Sequence, residues 1–571
     1  MKLSRPSLLL GLALALAACG QQSVTPSAQP STDASALSTQ SAQKDRFLVG
    51  FKRGAGVDRA AVTRAGGTVT QEWKELDAAA VRIPAQAVDA LRRNPNVEYV
   101  EEDVVRHALG QRHVVSDLAA ANGKPAPAPA PAPGAASTSP PPVRTPRGET
   151  TWGDSALQVP TLRSAGRTGA GVAVCVGDTG IDANHPEFAG KLKGFRNFMG
   201  DGRDVATQLN DVSHHGTHVS GTIFAQWGAG TGATGLQSGM DANGVGGVAS
   251  GVNLYMARVL GDDGSGSSSG IINGVNWCAS LPEQHVVISL SLGSSAGSRT
   301  EQRAYDNAYA KGVLIVAASG NDGGPIGYPA NYSSVVAVGA IDDHGGLASF
   351  SNFGANQELV GPGVAVLSSV PLGQGLAAKA SAVNVTAYSS VLAADFAGQG
   401  SATNLPIVAA GGTNNELCGV GTTNAALRGA IALISRGTCS FEEKVNNAVA
   451  SGAKAVIIYN NTAGDLGMTL NTQKSIPVVG ITQQDGQNTL AKLPTTGSVS
   501  ITPADYEYFD GTSMATPHVS AAAAVVWAAK PSLTNAQLRT LLQNTARDFG
   551  TLGRDSSFGY GLVDPVKAIN N

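Results

Sequence analysis

The stretch GAGVAVCVGDTGID, Gly169 to Asp182, decides the fold. Val172 to Val176 is apolar at odd and even positions alike, so a strand here has to be covered on both faces. The run breaks at Gly177, and Asp178 stands at its carboxyl end with Thr179-Gly180 behind it. Four further stretches repeat the design, an apolar strand running into a polar or glycine-rich loop: NLYMARVL, HVVISLSLG, GVLIVAASGND and VVAVGAID. Helical segments such as GIINGVNWCASL and TEQRAYDNAYAKG separate them. The alternation predicts an α/β domain with a parallel sheet and helices on both faces. Ligands of such sheets gather beyond the carboxyl ends of strands, so polar residues there carry the functional weight.

The pattern holds over residues 151–371, gives way over 372–504, and resumes at 505–571. The interrupting stretch, with RGAIALISRGTCSFEEKVNNAVASGAKAVIIYNN at its clearest part, reads as strands around one amphipathic helix, a β-rich inserted domain. Ahead of the sheet, residues 109–150 contain the Pro/Ala linker Lys124 to Gly148, expected to be extended and exposed. Residues 46–108 form a small α+β unit: strand (RFLVGFK), helix (VDRAAVTRAGG), strand (AAAVRIP), then helix, turn and strand. Residues 20–45, rich in Ser, Gln and Thr, read as a disordered tether. At the start, Lys2 and Arg5 precede the apolar run Leu8 to Ala18, too short to span a bilayer. The run ends in Leu16-Ala17-Ala18-Cys19-Gly20, which resembles the bacterial lipobox. Residues 1–19 are therefore expected to be a lipoprotein-type signal segment, with lipidation at Cys19.

The chain has 571 residues and a formal charge of −3, so it lacks the basic footprint of a nucleic-acid binder. Its 71 glycines point to many tight turns. Four cysteines remain beside Cys19. Cys418 and Cys439 lie close together in one segment and form a candidate disulfide; Cys175 and Cys278 either pair or stay as buried thiols. No cysteine spacing resembles a zinc site.

Four polar groups stand at strand ends or helix starts: Asp178, His215 in SHHGTHVSGTI, Asn321 in AASGND, and Ser513 in FDGTSMATPHVSAAAAVV. The alanine-rich run after Ser513 reads as a buried helix with Pro517 near its first turn. Ser513 alone would be a helix cap. A hydroxyl nucleophile, however, needs a base, the base needs a carboxylate, and a developing oxyanion needs a donor. This chain offers all four. His214 and His218 are one helical turn apart, but His215 occupies the place where a zinc protease signature needs glutamate.

Asp-Thr-Gly after a strand, His-Gly-Thr-His at a helix start and Gly-Thr-Ser-Met-Ala-Thr-Pro-His, in that order, resemble the three signatures of subtilisin-like serine proteases. The resemblance implies a secreted serine endopeptidase acting on proteins or peptides, without a catalytic cofactor. Asp178 would orient His215, His215 would serve as base and then acid, and Ser513 would attack. Asn321 and the Ser513 N–H would form the oxyanion hole. Ser291, Leu292 and Gly293 would pair with the substrate backbone, and Gly320 and Gly327 would shape a roomy pocket for a large apolar residue. Structural calcium is implied at Glu187 and Asp241. Residues 46–108 resemble an inhibitory propeptide, an intramolecular inhibitor removed by autoprocessing within Gly110 to Thr151. Because the lipid lies on the propeptide side, cleavage would free the mature enzyme from a membrane-anchored precursor. The insertion resembles a protease-associated domain. The competing class, an inactive relative that binds ligands at the cell surface, is disfavoured by the complete set of polar groups.

Overall fold

The computed structural model describes residues 45–112, 146–230, 235–237 and 239–571. The expected signal segment, Cys19, the tether up to residue 44 and most of the linker lie outside the described residues.

Strands β1 (Arg46–Phe51), β2 (Thr68–Trp73), β3 (Ala78–Arg82) and β4 (Val97–Glu102) form an antiparallel sheet ordered β2-β3-β1-β4. One face carries short helices at Arg59–Arg64 and Val88–Arg92 over a core of Val49, Val62, Val81 and Leu91. The other buries Leu48, Trp73, Leu76 and Ala80 against Ile272 and Ala304. Those last two belong to the helices Ser268–Cys278 and Arg299–Ala310 of the large domain. Strand β2 goes unread in the sequence because its residues, TVTQEW, are mostly polar and only Trp73 is buried.

Two short strands follow, β5 (Val105–Ala108) and β6 (Gln111–Arg112). The large domain then supplies β7 (Ala173–Asp178), β8 (Gly194–Asn197), β9 (Asn253–Arg258), β10 (Ser265–Ser267), β11 (Val286–Leu290), β12 (Leu292–Gly293), β13 (Leu314–Ala318), β14 (Val336–Ile341), β15 (Leu359–Pro362) and β16 (Val366–Ser369). Seven of these form one sheet, β15-β14-β13-β11-β7-β9-β8, parallel throughout. The five strands expected from apolar runs are its interior. The edges, β8 (GFRN) and β15 (LVGP), are four residues each and carry too little pattern to be read.

After β16 the chain enters a second seven-stranded sheet, made of β17 (Gly375–Ala382), β18 (Val391–Ala393), β19 (Gly400–Ala409), β20 (Ile431–Ser435), β21 (Ala455–Tyr459), β22 (Val478–Ile481) and β23 (Thr495–Ala504). It has its own core, including Leu433, Phe441, Ile457 and Val479. Strands β17 and β23 pair antiparallel from Gly375↔Ala504 to Ala382↔Gly497, so the chain leaves and returns side by side. Next, β24 (Tyr506–Asp510) pairs with β16 and leads into the helix Thr512–Ala529, whose residues Thr512 to Trp527 are all buried. Pro517 is the sixth residue of this helix, an interior position rather than the first turn. Both cysteine pairs, Cys175–Cys278 and Cys418–Cys439, are disulfides.

Candidate active site

Asp178 ends the interior strand β7 and is fully buried. Its Oδ1 accepts hydrogen bonds from Thr179 N at 2.7 Å and from His215 Nδ1 at 2.7 Å. A carboxylate on Nδ1 fixes the proton there, leaving Nε2 as the basic nitrogen. That Nε2 is buried and has no hydrogen-bond partner. His215 opens the helix His215–Phe224, and a second carboxylate holds that first turn in place. Asp211 accepts from Thr179 Oγ1 at 2.8 Å, from Thr217 N at 2.7 Å and from Thr217 Oγ1, while Gly216 N donates to Thr179 Oγ1 at 2.8 Å. Burial pushes the Asp211 carboxyl up to about 6 against these bonds.

Ser513 is the second residue of its helix; the cap position belongs to Gly511, so Ser513 caps nothing. Because Pro517 has no N–H, the Ser513 carbonyl lacks its helical donor. Ser291 Oγ supplies one at 2.8 Å, and Ser513 Oγ donates in return to the Ser291 carbonyl at 2.8 Å. The hydroxyl is thus parked on Ser291 in the uncleaved chain, and engaging His215 Nε2 requires its rotation.

The decisive occupant is the chain itself. Strand β5 lies antiparallel between β10 (Gly266↔Arg106) and β12 (Leu292↔Ala108), and Leu109 N donates to the Ser291 carbonyl at 3.2 Å. The Leu109 carbonyl oxygen accepts from Asn321 Nδ2 at 2.6 Å and from Ser513 N at 3.2 Å. Asn321 is aimed by Thr512, whose N and Oγ1 donate to Asn321 Oδ1 at 2.9 and 2.8 Å. Beyond the carbonyl, a Cβ on Gly110 would stand 2.8 Å from His215 Nε2, and β6 continues along β24. Gly511 adopts φ 151°, and a Cβ there would lie 2.3 Å from the Leu109 oxygen. Sequence reading missed Thr512, Gly511, Thr179 and Asp211; the first two flank Ser513 in its own motif.

Of the expected pocket residues, Gly293 meets the occupant directly, its Cβ position 2.9 Å from Leu109 Cδ1. The nearest atoms to a Cβ on Gly320 and Gly327 are Asn352 Nδ2 at 2.1 Å and the Ser294 carbonyl at 3.0 Å. His218 is a core residue: its Nε2 meets the carbonyls of Val366 and Glu507, and burial lowers its pKa to about 3. Glu187 is buried, with Oε1 accepting from Val245 N and Tyr506 OH while Oε2 has no partner. An orphaned buried carboxylate oxygen suits a hard cation with oxygen ligands. Asp241 is exposed and accepts from Asn243 N within its own turn. Among the described residues, only Asp342, Asp343 and His344 bring three such ligand atoms within 4.8 Å of one another, so Glu187 and Asp241 do not form a compact acidic cage.

Subtilisin NAT of Bacillus subtilis subsp. natto is 33% identical over 347 residues, 58% of this chain and 75% of that protein. The chain belongs to the subtilase family. The family's profile matches residues 169–400, a PA domain matches 403–489 and a fervidolysin N-terminal prodomain matches 28–103. Alkaline elastase YaB of Bacillus sp. (strain YaB) is 36% identical over 301 residues, 52% of this chain and 64% of that one. The subtilisin-like protease Apa1 of the Antarctic psychrotroph Pseudoalteromonas sp. AS-11 superposes with a TM-score of 0.57 at 30% identity, over 73% of this chain and 96% of its own. Fervidolysin from Fervidobacterium pennivorans shares the fold at a TM-score of 0.55 and 23% identity, over 92% of this chain and 61% of that one. This subtilase is therefore a serine endopeptidase whose precursor carries a prodomain, an α+β unit ahead of a subtilisin-like catalytic sheet and a PA domain.

Proposed function

We propose that this subtilase cuts its own Leu109–Gly110 bond and then hydrolyses other proteins through an acyl-enzyme on Ser513. The observation that carries the proposal is the Leu109 carbonyl oxygen held by both Asn321 Nδ2 and Ser513 N–H, with the Asp178–His215 pair beside the following peptide. Ser513 Oγ, rotated off Ser291, attacks the Leu109 carbonyl carbon while His215 Nε2 takes its proton. The oxygen becomes an oxyanion in the hole formed by Asn321 and Ser513 N–H. Collapse breaks the C–N bond, and the imidazolium returns the proton to the Gly110 nitrogen, which leaves as a free amine. Water, deprotonated by His215, then cleaves the ester and leaves a Leu109 carboxylate. Asp178 holds the imidazole through Nδ1 and steadies the imidazolium.

Domain bounds follow this reading: prodomain 46–108, catalytic domain 151–371 with 505–571, and PA insertion 372–504. Export by residues 1–19, lipid attachment at Cys19, and release of the mature enzyme by the cut complete the proposal, with Glu187 as anchor for structural calcium. The test is mass spectrometry of expressed protein. Wild type yields a prodomain fragment ending at Leu109, and Ser513→Ala yields only intact precursor. A wild-type fragment ending elsewhere overturns the assigned bond, and conversion of Ser513→Ala precursor overturns the nucleophile. Chelation with excess EDTA lowers the melting temperature of wild type but not of Glu187→Ala; an unchanged wild-type melting temperature overturns the calcium assignment.

A further inference from the structure

Counting back from the Leu109 carbonyl, the chain in the cleft presents Ala108, His107 and Arg106. His107 is exposed, with Nδ1 3.0 Å from Ser265 Oγ. Arg106 is different: its side chain is 0% exposed, driven into a closed pocket of the catalytic domain. At the pocket's end lies Glu301, from the first turn of the helix Arg299–Ala310, and it is also 0% exposed. Arg106 Nε donates to Glu301 Oε1 at 3.2 Å and Nη2 donates to Oε2, the two-pronged match of guanidinium to carboxylate. Nη1 donates to Ser294 Oγ and to the Ala296 carbonyl. Ser268 Oγ donates to Glu301 Oε1 at 2.5 Å. Tyr305 and Tyr332 pack close by, and burial first, then the Glu301 charge, pushes the Tyr305 phenol well above its usual range.

We propose that Glu301 makes this cleft select polypeptide substrates with arginine three residues before the residue whose carbonyl is attacked. The inference rests on the reading that the cleft cuts after Leu109. The side-chain partners of Arg106, namely Glu301, Ser294 and Ala296, all belong to the catalytic domain, so the pocket persists when the prodomain leaves. An apolar side chain entering it strands a carboxylate out of water, which costs far more than a matched pair gains. A guanidinium restores every bond, whereas a lysine ammonium supplies the charge but not the planar fork.

The matured enzyme is assayed on internally quenched peptides with the Arg106–Arg112 sequence, RHALGQR, and on versions with Lys, Gln or Leu in place of the first residue. The arginine peptide is expected to exceed the leucine peptide in kcat/KM by at least about 10²-fold, as a site built around hydrogen bonds rejects an analogue lacking them. Lysine falls between. Glu301→Leu reverses the order, and Glu301→Gln shrinks the ratio to less than about 10-fold. The wild-type series decides the matter even if neither variant matures. Equal kcat/KM for the arginine and leucine peptides overturns the specificity while leaving the catalytic reading intact. If casein is digested but no peptide is cut at Leu-Gly, the assigned bond fails, and this inference with it.

Discussion

At the scale of single residues, the cleft closes around the Leu109–Gly110 peptide. Asn321→Ala is expected to lower the rate of precursor conversion about 10²–10³-fold with little change in folding, the cost of one oxyanion donor and a magnitude measured in subtilisin; pulse-chase electrophoresis reads it. Gly110→Val is expected to slow the same step by at least about 10-fold, because its Cβ alone would sit 2.8 Å from both His215 Nε2 and Met514 Sδ. Normal conversion of that variant would mean that the bond attacked lies elsewhere. Asp178, His215, Asn321 and Ser513 were legible because each ends a strand, lies in the loop just beyond one or opens a helix, in a glycine-flanked motif. Arg106 and Glu301 were not. One is a lone arginine in a short strand, the other an ordinary first-turn glutamate, and only the fold brings them together across 195 residues.

At the scale of elements, two buried histidines tie the catalytic domain's stability to pH. His218 holds two backbone carbonyls through Nε2, His518 Nδ1 lies 2.8 Å from the Met514 carbonyl, and burial lowers their pKa values to about 3 and 4. Unfolded histidine titrates near 6.5. Between those values the unfolded chain takes up protons that the fold refuses, so each histidine costs stability as the pH drops, while the Asp211 carboxyl, raised to about 6, works in the opposite direction. Each histidine is expected to remove about 2 kcal/mol between pH 7 and pH 5, from roughly 1.5 pH units below the unfolded pKa. Urea unfolding of the Ser513→Ala precursor at pH 7 and pH 5 checks this by difference: adding His518→Gln should shift the change between the two pH values toward stability at pH 5 by about 2 kcal/mol. The same helix explains a misreading. From sequence Pro517 belongs at a helix start, where its missing N–H is harmless; here it is interior because Ser291 Oγ replaces the lost donor. No local pattern shows a hydroxyl arriving from 222 residues away. The interior strands were legible through their continuous apolar runs, whereas β2, β8 and β15 lack that signature.

At the scale of the whole molecule, the prodomain grips the enzyme by the ends of two helices. Glu101 accepts from Ser298 Oγ, Arg299 N and Thr300 N at 2.8–2.9 Å, at the start of the Arg299–Ala310 helix. Asp103 accepts from Ser269 N and Oγ at 2.8 and 2.7 Å, at the start of the Ser268–Cys278 helix. Anions at helix N-termini gain from both free N–H groups and the helix dipole. Replacing both, Glu101→Gln with Asp103→Asn, is expected to weaken inhibition by the cleaved prodomain about 10–100-fold, measured as its inhibition constant. These caps, the buried Leu48–Trp73 face and the β5 ladders all lie on one side of the Leu109–Gly110 bond, and hydrolysing that bond disturbs none of them. A molecule nicked at that bond is therefore expected to stay silent. Activity in a population should begin with a delay and then accelerate, as the first few liberated enzymes shred the prodomains of their neighbours, with a lag that shortens as protein concentration rises.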